Sequence, residues 1–524
     1  MQISSLAPSC LALAVSTMQA HPQIPPFPTE GRGNPRVEQL GTSVDQMIYE
    51  FMETERIPGM TLAIVQAPYI TRVVSYGLSD LTEKRLASTK TVWAVGPISQ
   101  AYAAVAVMQL VEAGKLDLSD PVSKFLPDVP TSWRAVTLLQ LLQHASGIAD
   151  YRAQPAYNAG KDLSTNQLVA LLKDVPLAFA AGTDVAQSAT NFLLAATIVE
   201  QASGVSYRDF VTKHQIEPMG LQHTVFASDL STLKEEKVAA NGNQHREFLQ
   251  ANAFVDPTEH ATGYTSALLP AHPLASKGFS DIWASAEDIS RWDIGLAGSI
   301  LIAKPEHRAL LYGPTTLANG KQFPAMAGWQ FFHHKGLMMI KGTTPGFSSL
   351  LARFTDKSEL VCVTLLANKE GVELANLGRR IAGAFGKSLG SDVDDRRLYV
   401  QESVFGVEET MARVEADLQR RGIPVFAKFD HARNAKEAQL ELRPTQVIVF
   451  GSPKVGTALM QAEQSIAIEL PLRISVWQDA AGSVWAAAPR VGVMAKEYGV
   501  KDESAAPAME SLLRELISRA CVAY

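Results

Sequence analysis

MTLAIVQ (Met60–Gln66) and TRVVSYG (Thr71–Gly77) decide the fold: each is a short apolar run of strand composition, and a loop containing Pro68 joins them into a pair. Far downstream, HKGLMMI (His334–Ile340), SSLLARF (Ser348–Phe354) and ELVCVTLLA (Glu359–Ala367) carry the same signature. Between the two groups the chain reads as helices and loops to about Trp292. The clearest helix is Pro97–Ala113, rich in Ala, Val and Met. Proline suits its first position, where the N–H has no intrahelical partner, and Gly114 ends it. Strands at both ends with helices between predict one sheet assembled from distant segments. Residues 38–386 are therefore read as a large α/β domain, a sheet flanked by helices.

The whole chain has 524 residues, with 47 Lys+Arg against 53 Asp+Glu, and is 47% hydrophobic. At about 150 residues per domain that length allows roughly two to four domains with ample core. The slightly acidic balance, with no Lys/Arg stripe, gives no reason to expect nucleic acid. Three cysteines, Cys10, Cys362 and Cys521, cannot build a disulfide framework, and the last two are read as buried free thiols. Residues 1–20 hold a short apolar run ending in small residues, as in a secretory signal cleaved near Ala20, and 21–37 form an extended Pro-rich segment. A frayed hydrophobic N-terminus is the alternative. No later run of about twenty residues is apolar enough to span a bilayer, so a periplasmic or secreted chain is expected.

Composition shifts at GKSLGSDVDDR (Gly386–Arg396), and a linker is placed at 387–395. Beyond it, residues 396–524 read as a small α+β domain. It starts with the strand LYVQESVF and a helix carrying Val407, Met411, Val414 and Leu418 on one stripe. The strands IPVFAKF, TQVIVFG, IAIELPLRISVW and SVWAAA follow, with helices near Ala458 and over Ala508–Cys521.

IPGMTLAIV, MQLVEAGKLDLSDPVSKFLPD, VTLLQLLQHASGIADY, AQSATNFLLAATIVE and KGTTPGFSSLLARF, in that order, resemble the serine beta-lactamase and penicillin-binding-protein-like family of the class C or esterase type. That resemblance implies a beta-lactamase/transpeptidase-like sheet with a helical subdomain, and acyl transfer by a serine in S-x-x-K. The lysine lies one turn on and helps deprotonate the serine. A Y-x-N loop and a Lys or His opening a K/H-x-G strand complete the family's site. This sequence departs from the pattern at each place. Pro97 stands for the serine, Gln100 for the lysine, Gln187 and Ala189 for the tyrosine and asparagine, and Ile340 for the Lys or His. Pro97 also lacks the N–H that helps hold the oxyanion, and loss of one such donor costs about a hundred- to thousand-fold in rate.

The retained residues have plainer readings. Ser99 lies about 200° around the helix from Pro97 and is followed three residues on by Tyr102. Ser188 caps or turns its loop, or else replaces the nucleophile. Lys341, on the opposite face of its strand from Ile340, is read as solvated. His144 belongs to the resembled family's structural HxSG turn. No histidine spacing implies a metal, and no cofactor is implied.

Residues of about 396 to 503 resemble the domain-of-unknown-function 302 family, a likeness that names a fold and no activity. There Gly451, Ser452 and Lys454 form a strand-to-helix turn whose N–H groups are an anion-site candidate, against an ordinary connection. Asp430 or His431 reads as a helix N-cap. The expected function is a beta-lactamase-related protein without family catalysis, whose cleft is lined by Gln100, Gln187, Ser188 and Thr343 and takes a small-molecule or peptide-like ligand. Two alternatives stand beside it: a hydrolase with a non-family nucleophile such as Ser99 or Ser188, and a C-terminal binding module on an inert scaffold.

Overall fold

The computed structural model of the chain describes residues 28–158, 161, 163–230, 260–273, 275–334, 336–355, 360–386, 389–391, 393, 396–500 and 506–523. The signal-like segment 1–20 lies outside the described residues, as does Cys10.

The expected long-range sheet is present. Its strands are β1 (Glu30–Gly33), β2 (Gly59–Gln66), β3 (Tyr69–Asp80), β4 (Ala325–Met326), β5 (Trp329–Phe331), β6 (Leu337–Thr344), β7 (Phe347–Phe354) and β8 (Val361–Ala367). Their order is β1-β3-β2-β8-β7-β6-β5-β4, and each neighbouring pair is antiparallel. The two distant groups meet where β2 pairs with β8, with Leu62 opposite Leu365 and Ile64 opposite Val363.

Both faces of this sheet are buried, which is why its strands read as continuous apolar runs. One face, with Met338, Ile340 and Leu351, packs on the helices α2 (Ile98–Glu112), α3 (Ala189–Ser203) and α4 (Ala286–Ala297). Helix α2 has no charge before Glu112 and is buried along nearly its whole length, as an apolar helix must be. On the other face, Met339, Leu350 and Leu365 meet α1 (Val44–Glu55) and α5 (Ala375–Gly383). The Arg353 guanidinium of β7 forks onto the Asp293 carboxylate of α4, with Nε 2.9 Å from Oδ1 and 3.1 Å from Oδ2. Bidentate geometry of this kind satisfies a buried charge that would otherwise be costly.

The second unit comprises β9 (Leu398–Ser403), α6 (Val407–Arg420), β10 (Val425–Asp430), α7 (His431–Glu437), β11 (Thr445–Phe450), α8 (Pro453–Ala462), β12 (Leu472–Gln478), β13 (Val484–Pro489), α9 (Val491–Glu497) and α10 (Ala506–Cys521). Its strand order is β9-β13-β12-β11-β10, all antiparallel. Met411, Val414 and Leu418 of the expected stripe pack with Ile448, Ile474 and Leu513. One strand expectation is corrected. Within IAIELPLRISVW only Leu472–Gln478 is strand, while Gln464–Glu469 forms a 3₁₀-helix. Pro471 has no N–H to donate to a ladder, so the strand starts after it. Cys362 and Cys521 are both buried and free, as expected.

The two units share a core, because Val404, Phe405 and Ala523 pack against the first sheet's Met339 face. Of the expected linker, Leu389 is buried and its carbonyl accepts from Arg379 Nε at 2.8 Å. That part is packed at the junction. Arg379 also reaches Glu402 of β9 at 2.7 Å, with both side chains buried. Glu55, at the end of α1, accepts from Arg490 Nη1 at 2.7 Å and from Arg514 Nη1 at 3.0 Å. Burial on its own would raise the Glu55 pKa, but the two guanidinium charges outweigh it and hold the carboxyl below its usual value.

A lowered folded-state pKa means the Glu55 contribution is present above about pH 4.3 and is lost as the pH falls below that. Glu55→Ala removes from a buried junction the carboxylate that Arg490 and Arg514 share, leaving Arg514 with Glu510 at 2.9 Å. The expected cost is about 3–5 kcal/mol, read as a lower urea midpoint near neutral pH, with the gap to the wild type narrowing in acid.

Candidate functional site

Helix α2 starts against the edge of β6. Pro97 is its N-cap, with φ −58° and ψ −15°, and is half-buried. The pyrrolidine ring lies against the strand: a Cβ placed on Gly342 would come within 2.3 Å of Pro97 Cγ and 2.6 Å of Cδ. Gly342 is thus the residue that lets proline sit here. On the far side of the helix start, Gly328 has φ +87° and approaches Gln100 Cβ.

One turn on, Gln100 is fully buried, and its Oε1 lies 3.0 Å from His144 Nε2. Nδ1 of the same ring faces two donors, the Asn191 amide at 3.1 Å and the Ser188 backbone N–H at 3.3 Å. Two donors on Nδ1 assign it as acceptor, so the ring proton belongs on Nε2 and is donated to Gln100. Asn191 Oδ1 in turn accepts from the Ser146 hydroxyl at 2.6 Å. Burial pushes the His144 pKa down to about 3. Gln100, His144, Asn191 and Ser146 thus form a neutral hydrogen-bonded cluster.

Neither serine candidate has a base. The Ser99 hydroxyl accepts the Ile282 N–H at 3.2 Å inside the core. Ser188 is the N-cap residue of α3, yet its hydroxyl makes no cap bond and, fully buried, has no hydrogen-bond partner. The expected cap role is therefore corrected. The first N–H of α3, from Ala189, goes instead to Asp150 Oδ2 at 3.1 Å, and Arg152 Nη2 holds that carboxylate at 2.6 Å. Ile340 is buried among the helices. Lys341 does point to the opposite face, but the expectation that it is solvated is overturned: Nζ lies 2.9 Å from Glu373 Oε2 and the side chain is only 9% exposed. The second unit covers that face. With its amide turned to satisfy both neighbours, Gln401 of β9 accepts from Lys341 Nζ at 3.0 Å and donates to Glu373.

Of the four cleft residues expected, Gln100 and Ser188 lie in the core, Gln187 is half-buried and Thr343 is exposed. Asn191 and Ser146 were missed by sequence reading, although Asn191 sits one helical turn beyond Gln187 and its polar side chain interrupts an apolar helix. In the second unit, Gly451 and Ser452 lead into α8 with Pro453 in its first turn, so one donor of the anion-site candidate is missing; the Lys454 side chain lies outside the described residues. Asp430 accepts from the Arg433 N–H at 2.9 Å, which is the expected N-cap. Among the described residues no group of three His, Cys, Asp or Glu is placed to hold a metal.

Residues 44–384 match the family model Beta-lactamase, and residues 399–519 match Domain of unknown function DUF302. Penicillin-binding protein 4* of Bacillus subtilis strain 168 is 28% identical over 305 residues, covering 56% of this chain and 65% of that protein. Fluoride-specific ion channel FluC 1 of Brucella suis biovar 1 is 43% identical over 95 residues, 18% of this chain and 37% of the channel. The chain thus spans less than two thirds of the length of either relative. Among solved structures, FmtA of Staphylococcus aureus aligns with a TM-score of 0.52 at 18% identity, covering 68% of this chain and 92% of that one. A class C beta-lactamase aligns with 0.52 at 21%, covering 67% and 96%. At these identities the likeness is one of fold.

With a pKa near 3, His144 stays neutral through the range in which an ordinary histidine titrates. Its imidazole ¹⁵N shifts are expected to remain those of the Nε2–H tautomer from about pH 8 to about pH 5. Because this pKa is depressed, the unfolded chain takes up the proton first, and the folded state loses stability as the pH falls below about 6.5. A His144→Phe variant is expected to flatten that part of the stability profile.

Proposed function

Through residues 44–384 this chain belongs to the beta-lactamase family, and from that membership we propose that it is a member that has given up acyl transfer and binds its ligand without a covalent bond. One observation carries the reading: Pro97 occupies the serine position with its ring seated on Gly342. Acyl transfer needs a nucleophile, a base for its proton and donors for the oxyanion. Pro97 offers neither hydroxyl nor N–H. Gln100 offers no basic nitrogen, and its partner His144 is a neutral ring already committed to hydrogen bonds. Since these groups act as a unit, replacing one of them recovers little.

The hydrolase alternative finds no support, because Ser99 and Ser188 are both buried and neither hydroxyl is paired with a base. Gln187 and Thr343 remain accessible, and with the exposed part of Pro97 they are the ligand-facing candidates for a small-molecule or peptide-like ligand. The same reading includes export to the periplasm or the exterior, supported by the apolar run that ends at Ala20.

Incubation with a fluorescent penicillin and with a p-nitrophenyl ester is expected to give no adduct by intact mass and no hydrolysis above buffer. The double variant Pro97→Ser, Gln100→Lys is expected to stay silent too, as Ile340, Gln187 and Ala189 are unchanged. Covalent labelling of the wild type, or turnover removed by Ser188→Ala, would sink the proposal. Calorimetric titration with benzylpenicillin addresses reversible binding. There Gln187→Ala and Thr343→Ala are each expected to weaken affinity by about three- to tenfold, the worth of one hydrogen bond.

A further inference from the structure

Helix α8, the 3₁₀-helix Gln464–Glu469, the start of β10, the end of β11, the start of β12 and the first two turns of α10 line a partly open pocket of about 440 Å³ in the second unit. Phe426, Phe450, Met460, Leu470, Met509 and Leu512 are among the apolar side chains of its wall. Among the described lining residues none carries a charge, and the Ser452 hydroxyl is the one polar side-chain group. We infer that this pocket is a binding site for a small molecule whose buried part is uncharged and apolar, an alkyl chain or ring body with its polar end at the Ser452 lip.

Three physical points carry this. The volume falls in the range of about 300–1,000 Å³ that small-molecule sites occupy. Among the described lining residues an ionised group would meet no charged partner to compensate its lost hydration, whereas apolar surface gains roughly 25 cal/mol for each Å² removed from water. The third point is Gly456. It sits inside α8, where glycine costs about 1 kcal/mol relative to alanine. A Cβ there meets nothing nearer than Leu470 Cδ1 at 3.7 Å and Met460 Cε at 4.0 Å. The helix forgoes stability at a position whose missing side chain leaves the pocket open. This site is independent of the Pro97 site, which lies on the other sheet. The competing occupant is a second copy of the chain, since Phe426 of the edge strand β10 lines the pocket and is half-exposed.

The test uses the full-length protein and N-phenyl-1-naphthylamine, an uncharged fluorophore. Saturable binding at one site per chain is expected, displaced by 1-decanol and not by acetate. Gly456→Leu fills the pocket and is expected to weaken binding at least about tenfold while the unfolding temperature holds or rises. Ala508→Phe, at an exposed lining position, checks the same point if the first variant folds poorly. Unsaturable fluorescence, or affinity unchanged in both variants, would overturn the site. So would a dimer by light scattering that excludes the fluorophore.

Discussion

The pairing of β2 with β8 is the constraint on which the rest of the molecule depends. Two strands separated by almost the whole first unit lie side by side over their full length, from Gln66 opposite Val361 to Met60 opposite Ala367. Closing so long a loop costs entropy that grows only slowly with its length, and burial of both faces of the ladder offsets it. The described helices between β3 and β4 then pack as a layer on one face of the sheet. Glu55 comes just before β2, so the carboxylate that accepts from Arg490 and Arg514 ties the second unit to the start of the strand that closes the first.

The substitutions at the candidate site form a consistent electrostatic set. A lysine at position 100 would sit in a fully buried place whose neighbours, His144, Asn191 and Ser146, are all neutral. A charge there would find no carboxylate within that cluster to compensate its lost hydration. Glutamine fits because its carbonyl accepts from the one proton His144 has to give. Proline at position 97 is likewise matched to the bare strand at Gly342. The Gln100 carbonyl and the Pro97 ring are thus matched by groups around them, while Gln100 Nε2 and the Ser188 hydroxyl are buried without a hydrogen-bond partner.

Much of this was legible in the sequence because it is encoded locally. The apolar runs at Met60–Gln66 and Val361–Ala367 announce a doubly buried sheet, and the uncharged stretch after Pro97 announces a buried helix. The losses were those that depend on a distant partner. Nothing near Lys341 reveals that Glu373 and Gln401 will meet it. Nothing near Ser188 reveals that Asp150, far back in the chain, takes over the helix N-terminus. IAIE has strand composition, but the proline after it prevents continuous pairing, and the alternation rule counted the residues without that break.

Strand alternation also explains how the two units bear on one site. Along β6, Met338 and Ile340 face the helical layer, whereas Leu337, Met339 and Lys341 face the layer that Val404, Phe405 and Ala523 complete. The strand that carries the substituted motif is therefore clamped between the first unit's helices and the second unit. Ala523 N–H donates to Gln330 on the neighbouring strand at 3.1 Å, which extends the clamp to β5. In such an arrangement β6 cannot shift toward or away from Pro97 without disturbing the junction. The second unit thus backs the strand that carries Ile340 and Gly342, a consequence of the fusion that follows from the direction in which one lysine side chain points.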